Sequence, residues 1–325
     1  MTTATPNRVV NLPLAEHRLC ARVASLYYES ELTQEQIGEF LGLSRMKVNR
    51  LIRLASTAGV VQIQIIGPDE PNAELLHQLQ LTFRLKDARV VSAPLPQQPL
   101  RAVLAAAASA WLADHLADEL VIGLGLGRTV ALLPETFSVP RPIACRFVTL
   151  EGVGVSPNAG FAAYDVTSRL AEVAGGTAGI ISAPTFVSTA EVRSALVAEP
   201  SVRDSLDVAR SAGLMLQSVG TVTNDAPLFR HGTLSAGDLA QLEGAGAVGD
   251  ALGHFFDANG DHIPWATDDL HVGLTLDDMK QCPMSALVAG GEDKVLAIRA
   301  AIRGGIATAL ITDAATAQRL VDLGA

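Results

Sequence analysis

Residues 32–54 read LTQEQIGEFLGLSRMKVNRLIRL, and their spacing predicts two short helices joined by a tight turn. Thr33 can cap the first helix, and Gln36 stands three residues on, where a capping box takes Glu or Gln. Ile37, Phe40 and Leu41 share one helical face. Gly42 follows where a helix end calls for positive φ. Leu43 can fill the space between the helices, and Ser44 can cap the second one. In that helix Val48, Leu51 and Ile52 point inward, with Leu54 and Ala55 extending the apolar side.

This is the pattern of a helix-turn-helix. Arg45, Lys47, Asn49 and Arg50 are left for the outer and N-terminal surface of the second helix. Such a helix reads base edges in the major groove with Arg, Lys, Asn or Gln, while other donors hold phosphates. Ser44 at the helix N-terminus suits a phosphate. With Thr33 and Gln34 at the start of the first helix, these residues form the candidate DNA-contacting set. Any one of them can equally be a solvated helix position, and a plain three-helix bundle is the alternative reading. Leu14, Leu19, Val23, Leu26 and Tyr27 predict a preceding helix packed on the pair, and residues 60–66, VVQIQII, a strand or wing.

Composition bounds the rest. The chain has 325 residues, 49% of them apolar, enough for a small and a larger folded domain. Its formal charge of −10 disfavours a uniformly distributed nucleic-acid surface, but the charge is uneven. Residues 1–67 carry seven Lys/Arg against five Asp/Glu, and the remainder has 17 against 29. A weakly basic head on an acidic body suits DNA contact through one surface. A single head offers few phosphate contacts, so a symmetric homodimer or homotetramer on a palindromic operator is expected. Cys20, Cys145 and Cys282 are scattered, with neither metal-ligand spacing nor a disulfide framework, which fits a reducing cytoplasm. Residues 1–12 do not read as a signal peptide, and the Ala-rich run 102–113 reads as a packed helix rather than a membrane span. No metal or cofactor site is expected.

The domain boundary is expected near residues 67–71, giving a head of residues 1–67 and a body of residues 68–325. Residues 73–83 read as a helix that can link the two and help pair subunits. Short apolar runs at 88–93, 120–123, 146–150, 177–181, 214–219, 285–289 and 306–311 read as strands. Helical patterns at 128–133, 166–174, 202–211, 235–243, 292–303 and 314–323 separate them. The alternation predicts a three-layer α/β domain with a mainly parallel sheet, whose ligands bind at the carboxyl ends of the strands.

Three loops fall at that edge. Gly125, Gly127, Arg128 and Thr129 follow a strand, where glycines let backbone amides approach an anion and Arg128 and Thr129 add donors. The loop lacks the Gly-Lys-Ser/Thr ending of a Walker motif and can be a simple tight turn. Glu151, in the loop after the next strand, can accept from ligand hydroxyls or be an exposed carboxylate. Lys294 sits in a first helical turn, where a cation opposes the dipole and a nearby anion would explain it; a solvated lysine is the alternative. Asp250, within the small, apolar segment 245–257, needs partners if buried, with Lys294 or a sugar hydroxyl as candidates and a structural cap as the alternative.

Four motifs in order, residues 26–65, GLGLGRT at 123–129, LSAGDLAQLEGAGAVGDALGHFFDANG at 234–260 and the run from Ala289 to Leu320, resemble the SorC/DeoR-type sugar-binding transcriptional regulators of bacteria. The resemblance implies a DNA-binding head and an effector domain with the fold of sugar-phosphate isomerases. It further implies control of a sugar or polyol catabolic operon by a small-molecule effector. On this resemblance Gly125, Gly127, Arg128 and Thr129 form the phosphate side of the pocket, and Asp250 and Lys294 its Asp and Lys. Asp165 takes a carboxylate position on the pocket side of a helix. Where family members that hold a bisphosphate can carry Arg, this chain has Glu151, whose charge would repel a second phosphate. The departure favours a monophosphate or an unphosphorylated sugar or polyol. The rival is a sugar-phosphate isomerase-like enzyme fused to a DNA-binding head, with Asp250, Glu151, Asp165 and Lys294 as acids and bases. Against it, no close motif sets a base against an acid, and the seven histidines show no paired arrangement. A purely architectural DNA-binding protein would not need so large an acidic domain.

Overall fold

A computed structural model describes residues 13–30, 32–58, 60–61, 72–94, 98–125, 127–153, 163–226, 228 and 234–325. The chain divides into two compact units, Met1–Glu70 and Pro71–Ala325. No helix among the described residues is long and apolar enough to cross a membrane.

The first unit contains three helices, α1 (Leu14–Tyr28), α2 (Gln34–Leu41) and α3 (Arg45–Thr57). The capping box forms as the spacing predicts: Thr33 Oγ1 accepts from the Gln36 amide at 3.3 Å, and Gln36 Oε1 accepts from the Thr33 amide at 2.9 Å. Gly42 ends α2 at φ 68°, a left-handed conformation that costs glycine nothing. Ser44 then caps α3, accepting from the Lys47 amide. The core is Cys20, Val23 and Ala24 of α1, Ile37 of α2, and Val48, Leu51, Ile52 and Ala55 of α3, with Leu43 packed at its margin. Phe40 departs from expectation. It is 66% exposed, because this short helix turns only the stripe through Ile37 toward its neighbours. Of the expected wing only Val60 and Val61 lie within the described residues, and the Val61 amide donates to the Ala55 carbonyl.

The second unit opens with α4 (Ala73–Phe83), β1 (Asp87–Val91) and α5 (Leu100–His115). Then come β2 (Val121–Leu124), β3 (Arg146–Val153), α6 (Ala163–Ala174), β4 (Thr177–Pro184), α7 (Ala190–Ala198), α8 (Pro200–Arg210) and β5 (Leu214–Gln217). After α9 (Ala236–Gly244), three short strands, β6 (Gly249–Ala251), β7 (His254–Phe256) and β8 (His262–Ile263), form an antiparallel sheet. The chain closes with α10 (Leu276–Gln281), β9 (Met284–Val288), α11 (Val295–Arg303), β10 (Ala309–Asp313) and α12 (Ala314–Leu323). The large sheet has order β1-β10-β9-β5-β2-β3-β4 and is parallel throughout.

Strand periodicity builds the two cores. Val148, Leu150, Met215, Leu287 and Leu310 face one side, where α4, α8, α11 and α12 cover them. Phe147, Leu214, Leu216, Val288 and Ile311 alternate to the other side, under α5 and α6. The expected three layers are present. α4 packs on this unit, with Leu79 and Phe83 buried in its core, while Leu81 of the same helix is 66% exposed. Three further boundaries shift. The segment after Arg128 is a 3-10 turn, Val130–Glu135, with Pro134 inside it, rather than an α-helix. A 3-10 turn, Glu292–Lys294, precedes α11. β3 runs through Glu151 to Val153, so Glu151 lies in a strand and not in a loop.

Candidate functional site

In the head, the polar set divides by what each side chain already holds. The hydroxyls of Thr33 and Ser44 are used as helix caps. Asn49 Nδ2 donates to Gln34 Oε1 at 3.3 Å across the two helices, a half-buried bond that fixes the angle between them. Arg45, Lys47 and Arg50 are exposed. A shallow groove lined by Tyr27, Tyr28, Thr33, Gln34, Arg45 and Asn49 runs along the junction of the helices.

In the body, neighbouring strands β2 and β5 lead away in opposite directions, β2 on to β3 and β5 on to β9. The crevice at their carboxyl ends is the switch point where ligands settle in such sheets. Gly125 leaves β2 there with its amide donating to the Leu216 carbonyl of β5. Its approach is so close that a Cβ would stand 2.8 Å from Gln217 Cβ and 2.9 Å from Leu252 Cδ2. Gly127 follows, Arg128 is exposed and Thr129 is buried.

On the β5 side, Gly220 exchanges both backbone hydrogen bonds with Asp250 of β6. Asp250 Oδ1 rests directly on Gly220, where any Cβ would collide with it. Asp250 Oδ2 accepts from the Gly253 amide at 3.3 Å. The two-residue turn between β6 and β7, Leu252 at φ 51° and Gly253 at φ 78°, makes this contact and turns the chain toward His254. Burial, reinforced by Glu151 and only partly offset by the Gly253 amide, Lys294 and His254, pushes Asp250 up to about 6.

Lys294 is half-buried, and its Nζ donates to the Val219 carbonyl at 2.8 Å. The backbone at the end of β5, rather than Asp250, therefore holds the ammonium directly. Burial lowers its pKa; Arg128 and Arg101 add to the shift, while Asp293 and Asp250 oppose it. Arg128, Lys294, Asp250 and Glu151 thus share one electrostatic neighbourhood, though they come from four separate segments. Glu151 is half-buried, bridges backbone with Gly273 and places Oε2 3.7 Å from His271 Nε2. Asp165 stands apart. It is exposed in the first turn of α6, and its ion-pair partner is Arg169 at 3.7 Å. The segment that precedes it, 154–162, lies outside the described residues.

The structure corrects one sequence expectation here. His254, His262 and His271 do cluster, with ring centroids of His254 lying 5.9 Å from His262 and 4.7 Å from His271. Asp268 organises them: Oδ1 accepts from His254 Nδ1 at 2.6 Å, and Oδ2 lies 3.1 Å from His262 Nε2 and accepts from the Trp265 amide at 2.8 Å. Burial alone would raise Asp268, but the bonds from His254 and the Trp265 amide hold it below the usual carboxylate range. Donor atoms of His254, His262 and Asp268 lie within 4.8 Å of one another, close enough for a metal ion, yet hydrogen bonds already engage them. Burial depresses His271 despite Glu151, and the Nε2 atoms of His254 and His271 are buried without a hydrogen-bond partner. The sequence takes His254, beside Phe255, as structural and singles out neither Gly220 nor His271, because the short strands around them have no long-period signature.

Comparison with known proteins places this arrangement. The Sugar-bind family of sugar-binding domains matches residues 69–322, and the model for region 4 of sigma-70 matches residues 21–57. The transcriptional regulator LsrR of Klebsiella pneumoniae is 36% identical over 324 residues, covering 98% of this chain and 97% of that one. The erythritol catabolism regulatory protein EryD of Brucella abortus is 33% identical, covering 94% and 97%. The chain belongs to the SorC/DeoR-type family of bacterial sugar-binding transcriptional regulators. The fold agrees: the full-length sorbitol operon regulator SorC of Klebsiella pneumoniae superposes with a TM-score of 0.72 at 23% identity, covering 96% of this chain and 100% of that one. These SorC/DeoR-type relatives are transcriptional regulators.

Proposed function

We propose that this protein is a DNA-binding regulator of a carbohydrate or polyol catabolic operon, switched by a sugar, polyol or sugar monophosphate bound in the body. The observation that carries the reading is the grouping of Arg128, Lys294, Asp250 and Glu151 at the carboxyl edge of the sheet. In this grouping Arg128 and Lys294 suit one phosphate or a polar end. Asp250 and Glu151 suit hydroxyls and would repel a second phosphate. Gly125, Gly127 and Thr129 shape the loop that carries Arg128, whereas Asp165, exposed on α6 and paired with Arg169, is not part of this grouping. The names of the relatives, an erythritol catabolism regulator and a deoxyribonucleoside regulator of Bacillus subtilis, support the chemical class.

The head supplies the output. Arg45, Lys47 and Arg50 contact DNA, with Asn49 and Gln34 set by their mutual hydrogen bond and Thr33 and Ser44 holding the helix ends toward phosphates. Two or four copies on a palindromic operator give the needed affinity, and the effector selects one spacing of the heads. The boundary falls between residues 67 and 71.

The test is a titration of protein on DNA from its own upstream region, with a panel of sugars, polyols and their phosphates. A saturable shift by one compound, abolished in Lys294→Met, supports the reading. Loss of DNA binding in Arg45→Ala ties it to α3. A panel of unphosphorylated and phosphorylated effectors that leaves affinity unchanged, with direct calorimetry showing no binding, overturns it.

A further inference from the structure

We propose that Met46 reads the C5 methyl group of a thymine in the operator, making it a specificity-determining residue at the centre of the DNA-facing surface. Met46 is 84% exposed, the largest exposure among the large apolar residues that reach the surface within the described residues. An isolated exposed methionine needs no explanation. Its position does, because of what surrounds it.

The buried residues of α3 are Val48, Leu51, Ile52 and Ala55. At about 3.6 residues per turn they define one stripe, and the opposite stripe runs through Met46, Arg50 and Arg53. Arg50 and Arg53 are exposed. Arg45 and Lys47 stand on either flank of Met46, and Asn49 is drawn toward α2 by its bond to Gln34. The middle of the outward face at the helix N-terminus is therefore apolar and ringed by cations. That end of a recognition helix is the part that meets base edges.

A thioether there offers a base only a weak acceptor, and a phosphate would gain nothing from it. The major groove offers one apolar feature, the thymine methyl. The unbranched, polarizable thioether suits a contact of this kind, since it adapts to the depth of the groove. Arg45 and Arg50 anchor the helix on either side, so the methyl contact chooses sequence while the cations supply general affinity. This inference rests on the head binding DNA, but it adds a base identity that the cationic residues do not specify.

The experiment uses the full chain and a duplex selected by that chain from random sequences. Each thymine of the selected site is replaced in turn by deoxyuridine, which keeps base pairing and removes only the methyl group. Affinity is read by fluorescence anisotropy for the natural protein, Met46→Ala and Arg50→Ala. Met46 makes no core contact and alanine is a strong helix former, so Met46→Ala folds. One thymine position, with its symmetry mate, is expected to lose about four-fold in affinity on demethylation, from the ~0.8 kcal/mol of one buried methylene-sized group. Met46→Ala should show a similar loss on the thymine duplex and no further loss on the deoxyuridine duplex. Arg50→Ala should weaken both duplexes alike. If Met46→Ala binds unchanged, changes only the oligomeric state, or loses affinity equally on both duplexes at every position, Met46 does not read a methyl. If no duplex is selected at all, the DNA-binding reading of the head falls together with this one.

Discussion

In the head, Thr33, Gln34, Ser44, Arg45 and Asn49 lie within one short run, and each is placed by the helix it caps or extends. In the body, Gly125, Glu151, Asp250 and Lys294 come from four distant segments and meet only because a parallel sheet brings its strand ends to one edge. The head's cations stay in water, where salt screens them and exposed residues can be exchanged at little structural cost. The body's charged groups are partly stripped of water, so their protonation and their hydrogen bonds are tied to the fold. One unit keeps its chemistry outside its core, and the other builds its chemistry into the core's rim.

Four experiments test that contrast, from the largest effect to the smallest. Leu51 is 1% exposed at the centre of the head's small core, and Leu51→Ala should cost ~2–5 kcal/mol. DNA binding should then vanish while effector binding by calorimetry persists; loss of both would show that the two units do not keep separate cores. In the body, Asp268→Ala removes the acceptor of His254 Nδ1 and of the Trp265 amide, and about 1–3 kcal/mol is expected for each buried donor left unmade. Thermal unfolding should report the drop, whereas Asp165→Ala, at an exposed position, should stay within about 0.5 kcal/mol. Equal effects would erase the distinction between rim and surface carboxylates.

Thr33→Ala removes a cap and should cost ~0.5–2 kcal/mol, seen as weaker DNA binding that Thr33→Ser restores. A loss that serine does not restore would mean Thr33 acts through its methyl group or through a direct contact. The last effect is a dependence on pH rather than a fixed loss. Asp250 is raised from 3.8 to about 6, so the folded protein holds this proton more tightly than the unfolded chain. Its contribution is fully present below the unfolded value, falls as pH climbs from about 4 to 6, and is gone above that. Denaturant titrations across this window should show stability falling with pH from this group, and Asp250→Asn should remove that part of the slope. An unchanged slope would place the ionising group elsewhere.

Much of the head was legible because its signals are local. A cap, a box residue three positions on, a glycine at the helix end and a second cap sit in fixed register, and each takes the predicted conformation. Phe40 was misjudged because periodicity gives a face but not the width of the partner surface. Met46 is the converse case: it carries neither charge nor a strong donor, so the pattern of cations and amides that marks the DNA-facing set does not point to it. The body's strands and helices were legible from alternating apolar runs and helical patterns. Its site was only half so. Gly125, Asp250 and Lys294 were named, but Lys294's direct partner, the Val219 carbonyl, is a backbone group with no sequence signature. β6 to β8 are two or three residues each, below the length at which alternation can be read. The histidines they gather were consequently seen as scattered, and Glu151 was assigned to a loop because Gly152 masks the continuation of β3.

The order of strands carries a consequence for biosynthesis. β1 has no strand partner until β10 arrives, since β10 inserts between β1 and β9. The residues of the head's core, by contrast, are all translated before β1. The head is therefore synthesised in full long before the large sheet can be completed. A nonsense mutation ahead of β10 would leave a head whose partner domain can no longer answer to the metabolite, and in a cell that also makes the intact chain such an allele is expected to behave as dominant.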